Sequence, residues 1–308
     1  MLDTEKISEK FIAELPYLMG YEPKESVVAF WLHADSTMSF AQRVDISDLE
    51  NDMDYFVTVG ERNPRTSALI LFYSDRKPSE LWDTASLLGD VIEHNDIHVH
   101  DILKVNGLDY STFFAPKDEL DSQEVLTVSE TIRSEVKNKN KGKYIVSDRE
   151  SLMSDYVCAV GDYPYLNERM NTDISNEEAV ESFIRAYEVT DYEGTPDYTD
   201  IAFLFAYLHN IKVRDEVLIQ INSLDKEGID TALTLASYVL RVTPKEHSAP
   251  IYTVTAIMAW LKGNGALANM LVDTALEVTP DYNLAVLIKG ALSIGMSPNH
   301  WREAIGEL

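Results

Sequence analysis

Residues 66–75, TSALILFYSD, are the most apolar predicted strand of the sequence, and the fold class follows from what surrounds them. A short run that is apolar on both faces is typical of a strand in the interior of a sheet. Pro78 and Ser79 then begin a helical pattern that continues to about His94. The stretch DIHVHDILKVN at 96–106 follows and predicts another strand. Strand, helix and strand in this order indicate two parallel strands joined by a crossover helix.

The sequence before this unit predicts a hairpin in the same sheet. ESVVAFWLH at 25–33 is apolar on both faces, and MSFAQRVDI at 38–46 alternates apolar and polar residues after a short turn. Three more elements are predicted in this half: helices over 4–15, ending at Pro16, and over 48–61, and a strand or hairpin at LDYSTFFA, 108–115. We therefore predict an α/β fold with a mixed, partly parallel sheet.

From about residue 120 the apolar residues recur at helical spacing. Helices are predicted over 122–143 and from Arg149 to about Val160. Further on, YVLRVTP at 238–244 and TALEVTP at 274–280 repeat at an offset of 36 residues, and each closes a helix with proline. The small residues that close packing of a tetratricopeptide-like hairpin needs fall at Ala256, Ala268 and Ala275.

The chain of 308 residues is long enough for two domains with separate cores. We predict an α/β domain with trailing helices over 1–165, and an all-α domain of tetratricopeptide-like helical hairpins over 172–308. Residues 171–200 are strongly acidic and carry Gly and Pro in YEGTPDYTD, so they are the best candidate for the connection. A helix through Phe183 is predicted within that solvated segment.

The composition is acidic throughout, with 52 acidic and 26 basic residues and a net charge of −26. Such a field repels phosphate backbones, so direct binding of nucleic acid is disfavoured. The charge indicates a soluble surface or, alternatively, a protein that mimics nucleic acid to occupy a basic partner. No stretch reaches the roughly 18 apolar residues of a membrane span, and the amino-terminal residues lack a signal pattern, so a cytoplasmic protein is expected. The single cysteine, Cys158, excludes an internal disulfide and indicates a buried thiol.

Three charged residues are candidates for a catalytic site at the carboxyl edge of the sheet. Asp75 ends the apolar strand just before the crossover helix, where ligands gather in sheets with parallel strands. Arg43 and Asp45 share one face of the hairpin strand and could meet it. The alternative is structural: Asp75 caps the following turn, and Arg43 pairs with an acid to satisfy its guanidinium.

Histidines concentrate in HNDIHVHD at 94–101. In an extended strand His98 and His100 project to one face and could chelate zinc, but no sequence signal nominates a third ligand. Alternation of polar residues on an edge strand explains the same pattern. The sequence therefore predicts surface histidines and no metal, and the absence of phosphate-loop and dinucleotide-binding glycine motifs predicts no cofactor.

The helical half holds four large aromatic residues that are candidates for binding a protein partner: Tyr252, Trp260, Tyr282 and Trp301. Aromatic side chains are enriched at the centres of protein interfaces. Packing in the core is the alternative for each of them.

Several blocks along the chain carry a family resemblance: LPYLMGYEPKESVVAFWL, RVDI, LILFYSD, VNGLDYSTFF, YLHNIKVRDEVL, GNGALANMLVDTALEVTPDYNLAVLI and GMSPNHWREAI. In order and spacing they resemble domain-of-unknown-function family 4192 (DUF4192) of actinobacteria and their bacteriophages. The resemblance implies the two-part architecture and a bacterial or phage cytosolic protein, and it implies no activity. The family commonly has a paired cysteine after YSTFF, where this chain has APKDELD, so a metal or redox role of such cysteines is not implied.

Two classes of function remain open, with the acidic mimic as a third. We expect a non-catalytic binding or scaffold protein whose helical hairpins present a groove to a protein partner. The alternative is an enzyme that acts on a small molecule at the carboxyl edge of the sheet. Local enzyme signatures are absent, but a site assembled from distant positions leaves no local pattern.

Overall fold

The computed structural model describes residues 4–33, 35–51, 53, 67–141, 143, 145–158, 175–192, 194–197, 200–201, 204 and 208–306. The chain forms two compact units, Met1–Arg149 and Glu150–Leu308. The division falls earlier than the connection predicted within 171–200. Leu152 and Met153, which the sequence analysis placed in the first domain, pack on the helical core of the second unit.

The first unit contains a six-stranded mixed sheet in the order β2-β1-β3-β4-β5-β6. The strands are β1 (Ser26–Leu32), β2 (Met38–Asp45), β3 (Ser67–Tyr73), β4 (Val99–Asn106), β5 (Asp109–Thr112) and β6 (Leu126–Thr127). β3 and β4 are parallel, and the other neighbouring pairs are antiparallel. The predicted hairpin, crossover and partly parallel sheet are confirmed.

Helices cover both faces of this sheet, which explains why β1 and β3 are apolar on both sides. The helices are α1 (Thr4–Met19), α2 (Ile46–Asn51), α3 (Pro78–His94) and α4 (Glu130–Lys139). On one face Ala29 and Ile70 share a core with Leu81 and Leu88 of α3. On the other face the ring of Phe30 lies 4.6 Å from that of Phe11 in α1. In β1 and β3 the polar residues are therefore confined to the strand starts, at Ser26 and Ser67.

Three local predictions were wrong, each for a tertiary reason. α1 continues through Pro16 to Met19, because Met19 also packs in the core and Gly20 N donates to the Pro16 carbonyl. The helix predicted over 122–143 begins only at Glu130, because Leu126 pairs with Tyr110 as part of β6. β4 is not an edge strand, since it lies between β3 and β5. Of the helix predicted over 48–61, most lies outside the described residues.

The second unit is all-helical in its described part. Its helices are α5 (Asn176–Asp191), α6 (Ile211–Ser223), α7 (Lys226–Val242), α8 (Ala249–Lys262), α9 (Gly265–Val278), α10 (Asn283–Ser293) and α11 (Pro298–Gly306). The two repeated motifs mark the ends of α7 and α9. Each helix ends one residue before the threonine of its motif, which caps it in an extended conformation. The small residues predicted for close packing are fully buried: Ala256, Ala268 and Ala275.

The acidic segment 171–200 contributes to this core and is more than a solvated connection. α5 buries Ala179, Phe183 and Ala186 against the other helices, while its glutamates face solvent. Among the described helices none is long and apolar enough to cross a membrane.

Candidate functional site

The three candidate catalytic residues lie at one edge of the sheet, but β1 separates them. β2 and β3 are both antiparallel to β1, so their carboxyl ends meet at the same edge. Ser26 at the start of β1 pairs with Asp45 on one side and with Tyr73 on the other. Asp75 follows β3 by two residues and is exposed. In the described part of the chain, no hydrogen bond or ion pair joins the Asp75 carboxylate to Arg43 or Asp45.

Arg43 and Asp45 form an ion pair within their own strand. Arg43 Nη2 donates to Asp45 Oδ1 at 2.5 Å, and Arg149 Nη1 lies 3.9 Å from the other carboxylate oxygen. The Arg43 side chain is only 16% exposed. Its guanidinium is therefore used to neutralise Asp45, as the structural alternative requires.

Glu25, which the sequence analysis missed, organises the rest of this edge. Its carboxylate accepts hydrogen bonds from Ser74 Oγ at 2.6 Å and from Asp75 N at 3.3 Å. Ser74 Oγ in turn accepts from Arg76 N at 3.0 Å. Glu25 also adopts a left-handed backbone with φ of 41°, which is uncommon outside glycine and asparagine. This network ties the turn after β3 to the start of β1. In the sequence, the signal for Glu25 was only an acidic residue directly before a buried strand.

The histidines lie at the start of β4. The sheet register passes from Ala68↔Val99 to Leu69↔Asp101, so His100 is the extra residue of a bulge. Its Nε2 lies 2.8 Å from Ser67 Oγ, and its ring lies 4.9 Å from that of His98. Burial and the neighbouring His98 lower the pKa of His100, so its ring is neutral near pH 7. Among the described residues no group of three or more histidines, cysteines, aspartates or glutamates could hold a metal.

A cleft of about 310 Å³ lies beside His100, over the first half of β4 and over β5, and the sequence analysis did not find it. Two acidic residues line it: Asp101 is half-buried, and Glu124 is exposed. Asp101 Oδ1 accepts from Ile102 N at 2.9 Å and from Thr112 Oγ1 at 3.1 Å. Burial raises the pKa of this carboxyl, against the lowering effect of the two hydrogen bonds. No local motif marks the cleft, because its lining comes from α1, β4, β5 and the segment before β6.

The four aromatic candidates for partner binding pack inside the helical unit. Tyr252 and Trp260 are buried, and Tyr252 Oη donates to the Tyr156 carbonyl at 3.1 Å. Tyr282 and Trp301 are half-buried against the same core, and the Trp301 ring lies 6.1 Å from that of Trp260. The first two are therefore not presented to solvent, and the core alternative describes their packing. Cys158 also packs on this core, with Sγ 3.2 Å from Tyr252 Oη.

Three aliphatic residues near Tyr282 are exposed instead, and we call them the apolar patch: Ile211 at 63%, Val286 at 49% and Leu287 at 67%. Arg214 Nη1 donates to Tyr282 Oη at 3.1 Å and so joins the start of α6 to the start of α10. Ile211 precedes Arg214 by three residues and Val286 follows Tyr282 by four, each about one helical turn of roughly 5.4 Å away. Ile211 and Val286 therefore each lie about one helical turn from this hydrogen bond, and Leu287 directly follows Val286.

A family model described as domain of unknown function (DUF4192) matches residues 9–299 of the chain. No curated protein and no solved structure matches the chain.

Proposed function

The chain belongs to the DUF4192 family, and from its surfaces we propose that it is a non-catalytic protein-binding or scaffold protein that engages its partner through the apolar patch. The observation that carries this proposal is the exposure of Ile211, Val286 and Leu287 at the joined starts of two helices. Scattered exposed aliphatic residues are ordinary, whereas several around one point mark an interaction surface. This patch replaces the groove of Tyr252 and Trp260, which pack in the core.

The charges around the apolar patch indicate the chemistry of the partner. Glu216, Glu277 and Asp281 are exposed on the adjoining turns, and Asp215 already pairs with Arg214. Lys212 is the exposed base beside Ile211. Together with the net charge of −26, this setting favours a protein segment with apolar side chains flanked by lysine or arginine.

The carboxyl edge of the sheet supports the enzyme alternative less well. Arg43 is consumed by Asp45, and the Asp75 backbone rather than its side chain takes part in the Glu25 network. The third alternative, a mimic of nucleic acid, uses the acidic charge but has no need for exposed Leu287. The peptide experiment below distinguishes the acidic mimic from binding at the apolar patch.

We test the proposal with amphipathic peptides of 15 residues, with leucine on one helical face and lysine on its flanks. Two matched series replace the lysines by glutamate or the leucines by serine. We expect only the original peptides, with both leucine and lysine, to bind, because both the apolar and the charged contacts are needed. Their affinity should fall as the salt concentration rises. Leu287→Glu should weaken binding at least tenfold, since it places a charge in the apolar contact.

The control is Leu87→Glu, at a leucine of α3 in the first unit that is 52% exposed. This variant should bind as the unchanged protein does. The proposal is refuted if the glutamate series binds equally well, or if Leu287→Glu and Leu87→Glu have the same effect. Binding of the series that keeps the lysines but has serine in place of leucine would favour the acidic mimic.

The setting that we propose for this function is the cytosol of a bacterium or of a phage-infected cell. A lone cysteine that packs against the helical core gives the chain no use for an oxidising compartment. The helical hairpins that carry the patch are proposed to be tetratricopeptide-like, in keeping with the close packing of α8 and α9 through buried alanines.

A further inference from the structure

We propose that the cleft over β4 and β5 is a binding site for a small organic cation, an ammonium or guanidinium group on a short apolar chain. The site belongs to the first unit and does not depend on the function proposed for the apolar patch. Its volume of about 310 Å³ is at the lower end of the range of small-molecule pockets.

The carboxylate of Asp101 is held with one oxygen already satisfied. Oδ1 takes both hydrogen bonds, from Ile102 N and from Thr112 Oγ1. Thr112 Oγ1 also accepts from Phe114 N at 3.1 Å, which fixes the position of the Phe114 backbone relative to the carboxylate. Within the described part of the chain, no hydrogen bond or ion pair is made by Oδ2. This oxygen is the acceptor left for a ligand.

The charges of the cleft favour a cation. Two acidic residues line it, Asp101 and Glu124, and its described lining contains no lysine or arginine. A half-buried carboxylate without a cationic partner is costly, and a bound cation would offset that cost. His100, also in the lining, is neutral near pH 7 and does not repel a positive group.

The walls of the cleft supply apolar contact and unused polar groups. Phe114 lines the cleft, and its side chain is 62% exposed. Packing in the core therefore does not account for its position. An aromatic face beside a carboxylate is an arrangement that recognises organic cations. Leu103 and Leu126 extend the apolar wall for the attached chain.

Two polar side chains in the lining have no hydrogen-bond partner among the described residues. Ser8 is 1% exposed, and its Oγ is one of these atoms. The other is Nε2 of Gln123, a residue that is partly buried. Buried polar atoms are almost always satisfied, so each needs an explanation. A ligand or the water that it orders in the cleft would supply the missing partners.

The test is a titration of the full chain, followed by ligand-observed NMR, with n-butylamine and n-butylguanidine as cations and n-butanol as the neutral analogue. We expect both cations to bind and n-butanol to bind at least tenfold more weakly, because only the cations can pair with Asp101. Asp101→Asn should weaken binding of both cations at least tenfold. Asp118→Asn, at an exposed turn outside the lining, is the matched control and should leave it unchanged.

Phe114→Ala keeps the test valid if Asp101→Asn should fail to fold, since truncation of an exposed ring leaves the core intact. It should weaken both cations about threefold or more, and thermal melting should be unchanged. The proposal is overturned if n-butanol binds as well as n-butylamine, or if Asp101→Asn and Phe114→Ala both bind like Asp118→Asn. Failure of the peptide test at the apolar patch would leave these outcomes unaffected.

Discussion

Replacing Tyr73 by phenylalanine should stabilise the first unit, although it removes a polar group from a folded protein. Tyr73 ends β3 with a side chain that is 4% exposed, and its Oη makes no hydrogen bond within the part of the chain that the structure describes. A buried hydroxyl without a partner costs about 1–3 kcal/mol relative to its hydration in the unfolded chain. Phenylalanine keeps the ring and leaves only a void of oxygen size, which offsets part of the gain. We expect a net stabilisation of about 1 kcal/mol.

Denaturant unfolding at pH 7 measures this change directly. For a unit of roughly 150 residues, 1 kcal/mol corresponds to a rise in Tm of about 2–4 °C. Burial also raises the pKa of the Tyr73 hydroxyl above 10.0, its ordinary value. Since the folded state then keeps a proton that the unfolded state loses, the stability of the unchanged protein falls as pH rises above about 10. The Tyr73→Phe variant should lose this part of the alkaline dependence.

Two other tyrosines provide the controls. Tyr192 is 86% exposed, so Tyr192→Phe should change stability by less than about 0.5 kcal/mol. Tyr110 Oη donates to Glu9 Oε1 at 3.3 Å inside the first unit, so Tyr110→Phe should destabilise by about 1 kcal/mol. If Tyr73→Phe proves as destabilising as Tyr110→Phe, the hydroxyl has a partner and the reasoning is refuted.

Three further predictions concern single residues. Gly263→Ala should cost about 1 kcal/mol in thermal or denaturant unfolding, because the glycine ends α8 with φ of 95° and alanine is strained there; Gly265→Ala, which meets no atom and starts a helix, should not destabilise. The raised pKa of Asp101 makes the unchanged protein lose stability as pH rises from 3.8 to that raised value. Asp101→Asn should remove this part of the pH dependence of unfolding. An unchanged pH profile of the variant would contradict the prediction. Arg43→Ala should destabilise by about 1–2 kcal/mol, since it leaves the half-buried Asp45 with Arg149 alone, whereas Asp75→Ala should change the free energy of unfolding by less than about 0.5 kcal/mol; equal effects of the two would remove the distinction between paired and exposed residues.

Local patterns were enough for the regular elements. The apolar runs at β1 and β3 predicted interior strands because helices on both faces leave no position for a polar residue. The helix over α3 followed from proline at its first turn and from helical spacing up to His94. The threonine-proline motifs correctly marked the ends of α7 and α9, since proline cannot continue a helix.

The failures occurred where a long-range contact outweighed a local preference. Leu126 fits a helical spacing, but its backbone pairs with Tyr110 of β5. Pro16 is a local helix breaker, but the burial of Met19 keeps the following turn in the helix. Propensities of this kind amount to a few kcal/mol at most, which the burial of one large side chain can offset.

The candidate sites depended even more on tertiary structure. The acidic charge, the two-part architecture and the order of the strands around the crossover could be predicted, because they follow from composition and periodicity. Which polar groups lie together or lose their contact with water depends on the packing of the fold, since those groups come from elements far apart in the chain. Ser8 and Asp101 reach one cleft from α1 and β4, and Glu25 receives the Ser74 hydroxyl across 49 positions of sequence. The chemistry of each surface therefore depends on neighbours that no local pattern records.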